Sequence, residues 1–290
     1  MSAVLPVVAG VDGSPTSEDA AVWAAHAAKR RGLPLLLVSV TPITPGVMGV
    51  LVPIPQEFYD DQHQLTTRVL VDAASRVHAE FGDDAIEIDT KVLTGIPAAE
   101  MLEYSKKAAL MVTGTRGLGD LTAGVVGSVS SALIGHTQCP VVVVHRREPQ
   151  ADTSAGPVVV GVDGSDNSVP ALAAAFEEAS LRSVELIAVH AFSDVLMDSM
   201  FEDSWASIED SERAVLSEHL AGYAEQYPDV MVTPVVSKVR PVNALLEKAE
   251  GASLIVVGSR GRGGYMGMLL GSTSRAIVHT AECPVMIVRH

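Results

Sequence analysis

Short apolar runs of strand length alternate with longer stretches of helical periodicity, and the whole alternation occurs twice along the chain. In the first half it predicts strands over Val4–Val11, Pro34–Val40, Ile86–Leu93, Leu110–Thr113 and Val141–His145. Between them it predicts helices over Pro15–Arg31, Glu57–Phe81, Pro97–Lys107 and Ser128–His136. The second half predicts strands over Val158–Val162, Glu185–His190, Met231–Ser237, Leu254–Val257 and Val285–Arg289. Its helices are expected over Asp166–Leu181, Trp205–Gln226, Pro241–Glu250 and Thr273–Thr280. Strand–helix alternation with right-handed crossovers gives a parallel sheet covered on both faces. The fold class is therefore α/β: two tandem doubly wound domains, each with a five-stranded parallel sheet in the order 3-2-1-4-5. Ser14 before Pro15 is the pattern of a capping hydroxyl and a proline at the first helical position, and Ser165 is expected to cap its helix likewise.

The repeat is domain-sized. Gly10-Val11-Asp12-Gly13-Ser14 returns as Gly161-Val162-Asp163-Gly164-Ser165, 151 residues later. A second motif returns at an offset of 144: Gly114-Thr115-Arg116-Gly117, nine residues, then Gly127-Ser128, matched by Gly258-Ser259-Arg260-Gly261, nine residues, then Gly271-Ser272. Such a period indicates duplication rather than a solenoid. The domains are expected at 1–146 and 157–290, joined by a linker at 147–156.

In open parallel sheets ligands bind beyond the carboxyl ends of the strands, where the strand order reverses. Asp12 and Asp163 follow the first strand of each repeat, and the glycine loops follow the fourth, so the two face one crevice. Each loop runs into a helix N-terminus, whose N–H groups and partial positive charge suit a phosphate. A carboxylate beside a triphosphate is repulsive unless a metal intervenes. Asp12 and Asp163 are thus assigned to the nucleoside end, and the hydroxyls of Ser128, Ser130, Ser272 and Ser274 to phosphate oxygens. Arg260 and Arg262 add charged donors in the second repeat. The first repeat has Leu118 and Asp120 where the second has Arg262 and Gly264, so the second is expected to hold phosphate more tightly. The competing reading of each motif is local: close strand-to-helix packing for the glycines, turn formation for the aspartates.

These residues together resemble the universal stress protein family in its ATP-binding subclass, over essentially the whole chain. The resemblance implies an adenine nucleotide alpha hydrolase-like fold that binds ATP or ADP, with or without Mg²⁺. In the first repeat the implied nucleotide-binding residues are Gly10, Asp12, Val40, Gly114, Thr115, Arg116, Gly117, Leu118, Gly119, Gly127, Ser128, Val129 and Ser130. In the second they are Gly161, Asp163, Ala191, Gly258, Ser259, Arg260, Gly261, Arg262, Gly263, Gly264, Gly271, Ser272, Thr273 and Ser274. Val40 and Ala191 enter through their backbone, against adenine. The resemblance also implies a homodimer of tandem chains and a regulator of stress response or growth, with an unidentified protein partner.

Composition narrows the alternatives. The chain of 290 residues has 20 basic and 35 acidic side chains, a net charge of −15, which opposes binding to nucleic acid. No apolar run is long enough to insert in a membrane, and no targeting segment is visible, so a cytoplasmic location is expected. The two cysteines, Cys139 and Cys283, stand in equivalent Cys-Pro-Val contexts, as small apolar residues before a strand rather than a disulfide pair. No metal site is expected, because the scattered histidines supply no ligand set. Neither glycine loop contains a lysine, so the P-loop route to hydrolysis is missing and no catalytic residue is assigned. A nucleotide-holding regulator is the reading, with slow hydrolysis at most. The alternatives are an ATP-hydrolysing or adenylating enzyme of related fold, whose Ser-Gly-Gly-x-Asp-Ser loop is lacking here, and a nucleotide-free scaffold. The apolar segments Pro45–Pro55 and Val195–Phe201 are expected as lids over the crevices, or else as partner contacts.

Overall fold

The computed structural model describes residues 4–42, 56–82, 86–115, 126–146, 155–192, 205–261 and 269–289. The chain divides into two compact units, Met1–Arg146 and Arg147–His290. The two apolar segments expected as lids, and most of the linker, lie outside the described residues.

The first unit runs β1 (Val7–Gly10), α1 (Pro15–Arg31), β2 (Leu35–Pro42), α2 (Gln56–Phe81), β3 (Ile88–Gly95), α3 (Pro97–Ser105), β4 (Leu110–Gly114), α4 (Ser128–His136) and β5 (Val141–Val144). β1 pairs with β2 and β4, β2 with β3, and β4 with β5, all parallel, which gives the expected order 3-2-1-4-5. The first strand starts at Val7 rather than Val4, because Pro6 brings no N–H to a ladder. The second unit runs β6 (Val158–Val162), a 3₁₀ turn (Asp166–Ser168), α5 (Val169–Arg182), β7 (Leu186–Ala191), α6 (Trp205–Gln226), β8 (Val232–Ser237), α7 (Pro241–Lys248), β9 (Leu254–Gly258), α8 (Ser272–Thr280) and β10 (Val285–Val288). Its order, 8-7-6-9-10, repeats the first, again with every pair parallel. Pro234 sits in β8, an outer strand of that set, where a missing donor is tolerated.

The cores follow from the composition. Val7, Val8 and Ala9 of β1 are fully buried, as are Val158, Val159 and Val160 of β6. α1 buries Ala20, Ala21, Ala24, Ala25, Ala27 and Ala28, small side chains that let the helix lie close on its sheet. α5 instead buries Phe176, which stacks on Tyr223 of α6 and on Tyr227 just past its end, at 5.2 and 5.8 Å between ring centroids.

One close approach fixes where the sites fall. A Cβ on Gly114, the last residue of β4, would come within 2.7 Å of the Thr16 carbonyl carbon and 2.8 Å of its oxygen. The end of β4 is thus pressed against the first turn of α1. Gly258 ends β9 in the same way, with a hypothetical Cβ 3.1 Å from the Asn167 carbonyl oxygen. Gly114→Ala should therefore cost about 1–3 kcal/mol of stability in urea unfolding, since backbone must move to admit the methyl group. Gly222→Ala, in mid-α6 with open space around it, should gain about 0.5–1 kcal/mol. Equal midpoints for the two variants would contradict this packing.

Candidate functional site

Both aspartates sit in the turn that follows the first strand of their unit. Asp12 Oδ1 accepts from the Ser14 N–H at 3.0 Å and from Ser14 Oγ at 2.6 Å. Asp163 Oδ1 accepts from the Ser165 N–H at 3.0 Å and from Ser165 Oγ at 2.7 Å. One carboxylate oxygen therefore closes the turn, as Asp before Gly does locally. The two serines part company at the next step. Ser14 Oγ also accepts from the Ser17 N–H at 3.3 Å and caps α1, as expected. Ser165 makes no cap bond, contrary to expectation. Pro15 follows Ser14 directly, whereas Pro170 lies five residues beyond Ser165, and a 3₁₀ turn intervenes before α5 begins.

The two glycine motifs repeat one hydrogen-bond scheme. The Thr115 N–H donates to Val144 O at 2.9 Å, and the Gly127 N–H returns to Thr115 O at 2.8 Å. The Ser259 N–H donates to Val288 O and the Gly271 N–H to Ser259 O, both at 2.8 Å. The glycine before each following helix is thus hydrogen-bonded to the residue that leaves the strand end. α4 and α8 then start directly after Gly127 and Gly271, with no side-chain cap on either first turn. At α8 this N-terminus, Gly271 to Ser274, lines a cavity, with the positive end of the helix dipole toward it.

The serines of these first turns divide into two kinds. Ser130 Oγ donates to Gly114 O at 2.7 Å, and Ser274 Oγ donates to Gly258 O at 2.6 Å, and both serines are buried. Their hydroxyl protons are committed to strand-end carbonyls, which makes them struts between helix and strand. Ser128 and Ser272 are exposed at the helix openings.

In the second unit these parts enclose a cavity of about 300 Å³, at the lower end of the range for small-molecule sites. Asp163, Gly258, Arg260, Gly261 and Gly271 to Ser274 form its polar side. Gly161, Val162, Val189, Ala191, Leu245 and Val257 form an apolar wall, joined by Pro241 and Ser168. A Cβ on Gly261 would come within 2.6 Å of Asp163 Oδ2, so the loop passes directly over the second carboxylate oxygen. Arg289, just past β10, was not among the residues the sequence singled out. Burial, and then the Arg260 guanidinium near it, push its guanidinium down from the ordinary arginine value. Its buried Nη1 has no hydrogen-bond partner among the described residues. Two neighbouring guanidiniums, one with a donor unused, are a donor set for an anion. In the first unit the structure places Gly10, Asp12, Val40, Gly114, Thr115, Gly127, Ser128, Val129 and Ser130. Arg116 to Gly119, and Arg262 to Gly264, lie outside the described residues, as do Asp120 and its counterpart loop. Among the described residues no three His, Cys, Asp or Glu side chains gather as a metal site. Nor is any helix among them long and apolar enough to cross a membrane.

The motif arrangement has relatives. A family model described as the universal stress protein family matches residues 5–145 and again residues 155–289. The chain belongs to the universal stress protein family. It is 40% identical to a universal stress protein of Mycobacterium tuberculosis over 285 residues, 98% of this chain and 96% of that one. A universal stress protein from Archaeoglobus fulgidus shares the fold with a TM-score of 0.71 at 22% identity, covering 99% of this chain and 96% of that one. A universal stress protein solved in complex with cAMP is 32% identical over 46% of this chain and 96% of its own, with a TM-score of 0.36. The sequence pattern had identified this universal stress protein as tandem, and the family match covers both halves.

If Ser274 is a strut, Ser274→Ala should leave the Gly258 carbonyl unsatisfied and cost about 1–3 kcal/mol in urea unfolding. Ser272→Ala, at the exposed position two residues earlier, should change stability by less than about 0.5 kcal/mol. Equal costs for the two variants would remove the distinction.

Proposed function

We propose that this universal stress protein binds adenine nucleotide, ATP or ADP with or without Mg²⁺, at one site in each unit, and acts as a nucleotide-dependent regulator in the cytoplasm. The observation that carries the reading is the second-unit cavity, which runs from an apolar wall to an uncapped helix N-terminus flanked by Arg260. That gradient matches a ligand with a flat apolar end and an anionic end. The motif resemblance to the ATP-binding subclass supports adenine as the apolar end. It would rest beside Ala191 and Val189, with Asp163 toward the ribose and the phosphates at Gly271 to Thr273.

Arg260, with Arg289 behind it, supplies charge that favours a polyphosphate over a neutral nucleoside. The absence of a lysine from both glycine loops supports holding the nucleotide rather than cleaving it. Regulation follows from linkage. A ligand that binds only the folded form stabilises it by about 2.7 kcal/mol at a hundredfold excess over Kd. Nucleotide would thereby set which surface a protein partner, or a second copy of the tandem chain, meets.

Isothermal titration with ATP should give two sites per chain, the tighter one in the second unit. Gly261→Ala should weaken that site by about tenfold or more, because its methyl group meets Asp163 Oδ2. Retention of both sites at full affinity in Gly261→Ala would reject the placement. A tighter site in the first unit, revealed by which titration step survives, would reject the ranking.

A further inference from the structure

One buried ionisable pair stands next to the second-unit cavity and has no counterpart in the first. His190, in β7, has a side chain only 1% exposed. Its Nδ1 lies 2.8 Å from Val162 O, and its Nε2 lies 2.7 Å from Glu212 Oε2 on α6. Both partners are acceptors. A neutral imidazole has one N–H, so it satisfies one of them and turns a lone pair toward the other. The arrangement therefore needs one proton between Nε2 and the carboxylate, whichever atom carries it. With that proton present the contact is a short charge-assisted hydrogen bond.

The position of the pair links it to the cavity. Val162, whose carbonyl the ring holds, precedes Asp163, and Ala191 follows His190, and all three line the cavity. The neighbouring strands β6 and β8 carry no ionisable side chain, and Asp163 and Lys238 are the first charged residues beyond their ends. On α6, Glu209 lies one turn before Glu212, paired with Arg213 at 3.0 Å and with Lys238 at 3.9 Å. On α5, Glu178 pairs with Arg182 at 2.9 Å, and Glu177 is exposed. On α7, against the other face of the strand, Glu247 and Lys248 pair with each other at 2.9 Å. In the first unit the corresponding strand carries Ser39, and β2 is tied to α2 by Thr41 Oγ1 donating to Thr66 Oγ1 at 3.0 Å. That tie contains no titrating group.

We propose that His190 is a positioning residue of the second nucleotide site, and that the proton it shares with Glu212 makes that site, and not the first, weaken as pH rises. The inference rests on the nucleotide reading above. The proton belongs to the tied form. While the proton is held the tie is intact, and removing it as pH rises breaks the tie and loosens α6 and the Val162–Asp163 and Ala191 backbone. By reciprocity, nucleotide bound at the second site should hold the proton more firmly.

Two measurements on the full chain test this. In the absence of nucleotide, ¹⁵N-histidine NMR over a pH series reads the protonation of both ring nitrogens directly. His190, assigned by its loss in His190→Ser, should carry protons on both ring nitrogens at the acid end and lose one in a single step. A ring already neutral at the acid end overturns the proposal. ATP titration then compares the acid and alkaline ends in three forms. In the wild type one site should weaken by about fivefold relative to the other. Glu212→Gln should abolish that difference while keeping affinity, because its amide N–H donates to a neutral Nε2. His190→Ser should be weak at both ends. The same pH dependence in all three forms overturns the coupling, and a merely structural contact would not be rescued by Glu212→Gln. If no form binds ATP, the nucleotide reading fails, and with it the affinity claim; the ring titration still decides the proton tie.

Discussion

Everything at the crevice edge of each unit depends on the backbone contact between the end of the fourth strand and the helical turn that follows the Asp-Gly-Ser segment, the first turn of α1 in one unit and the 3₁₀ turn before α5 in the other. Gly114 against Thr16, and Gly258 against Asn167, allow two chain segments to meet without an intervening side chain. The contact brings the Asp-Gly-Ser turn and the glycine loop to the same crevice, although they are about a hundred residues apart in sequence. Ser130 and Ser274 then anchor the following helix to the same strand end through its carbonyl. The glycines that open each motif thus permit close packing, and in the second unit Gly261 lets the backbone pass the Asp163 carboxylate. The local reading of the motif therefore does not compete with the proposed ligand reading.

Duplication preserved that device and changed its surroundings. The first unit packs an alanine face and joins β2 to α2 through two threonines, whereas the second uses Phe176 with two tyrosines and the His190–Glu212 pair. The helix after the first turn begins at once in one half and after a 3₁₀ turn in the other. Such differences alter electrostatics and stiffness around the cavity without altering the strand order.

The strand order, the helices and the crevice were legible because they depend on short-range patterns: periodicity, capping residues, and glycines at fixed spacing. β6, α4 and α6 fall on the residues the pattern predicted, Val158–Val162, Ser128–His136 and Trp205–Gln226. Ser165 was misjudged, because a cap depends on where the helix starts, and Pro170 delays that start. Ser130 and Ser274 were read as phosphate donors, since the sequence does not show which carbonyl lies beneath a hydroxyl. Arg289 and the His190–Glu212 pair went unnoticed because their meaning lies in long-range contacts. The available signal was small: a histidine one residue before Ala191, and an arginine just past the otherwise apolar last strand.

The central claim is that these crevices hold adenine nucleotide. It is tested most directly by denaturing the full chain, purified without added ligand, and identifying the small molecules released by mass spectrometry, alongside a thermal shift with millimolar ATP. ATP or ADP in the released fraction, up to two per chain, with a rise in unfolding temperature on adding ATP, is the result predicted. No adenine nucleotide released and no shift on adding ATP would contradict it.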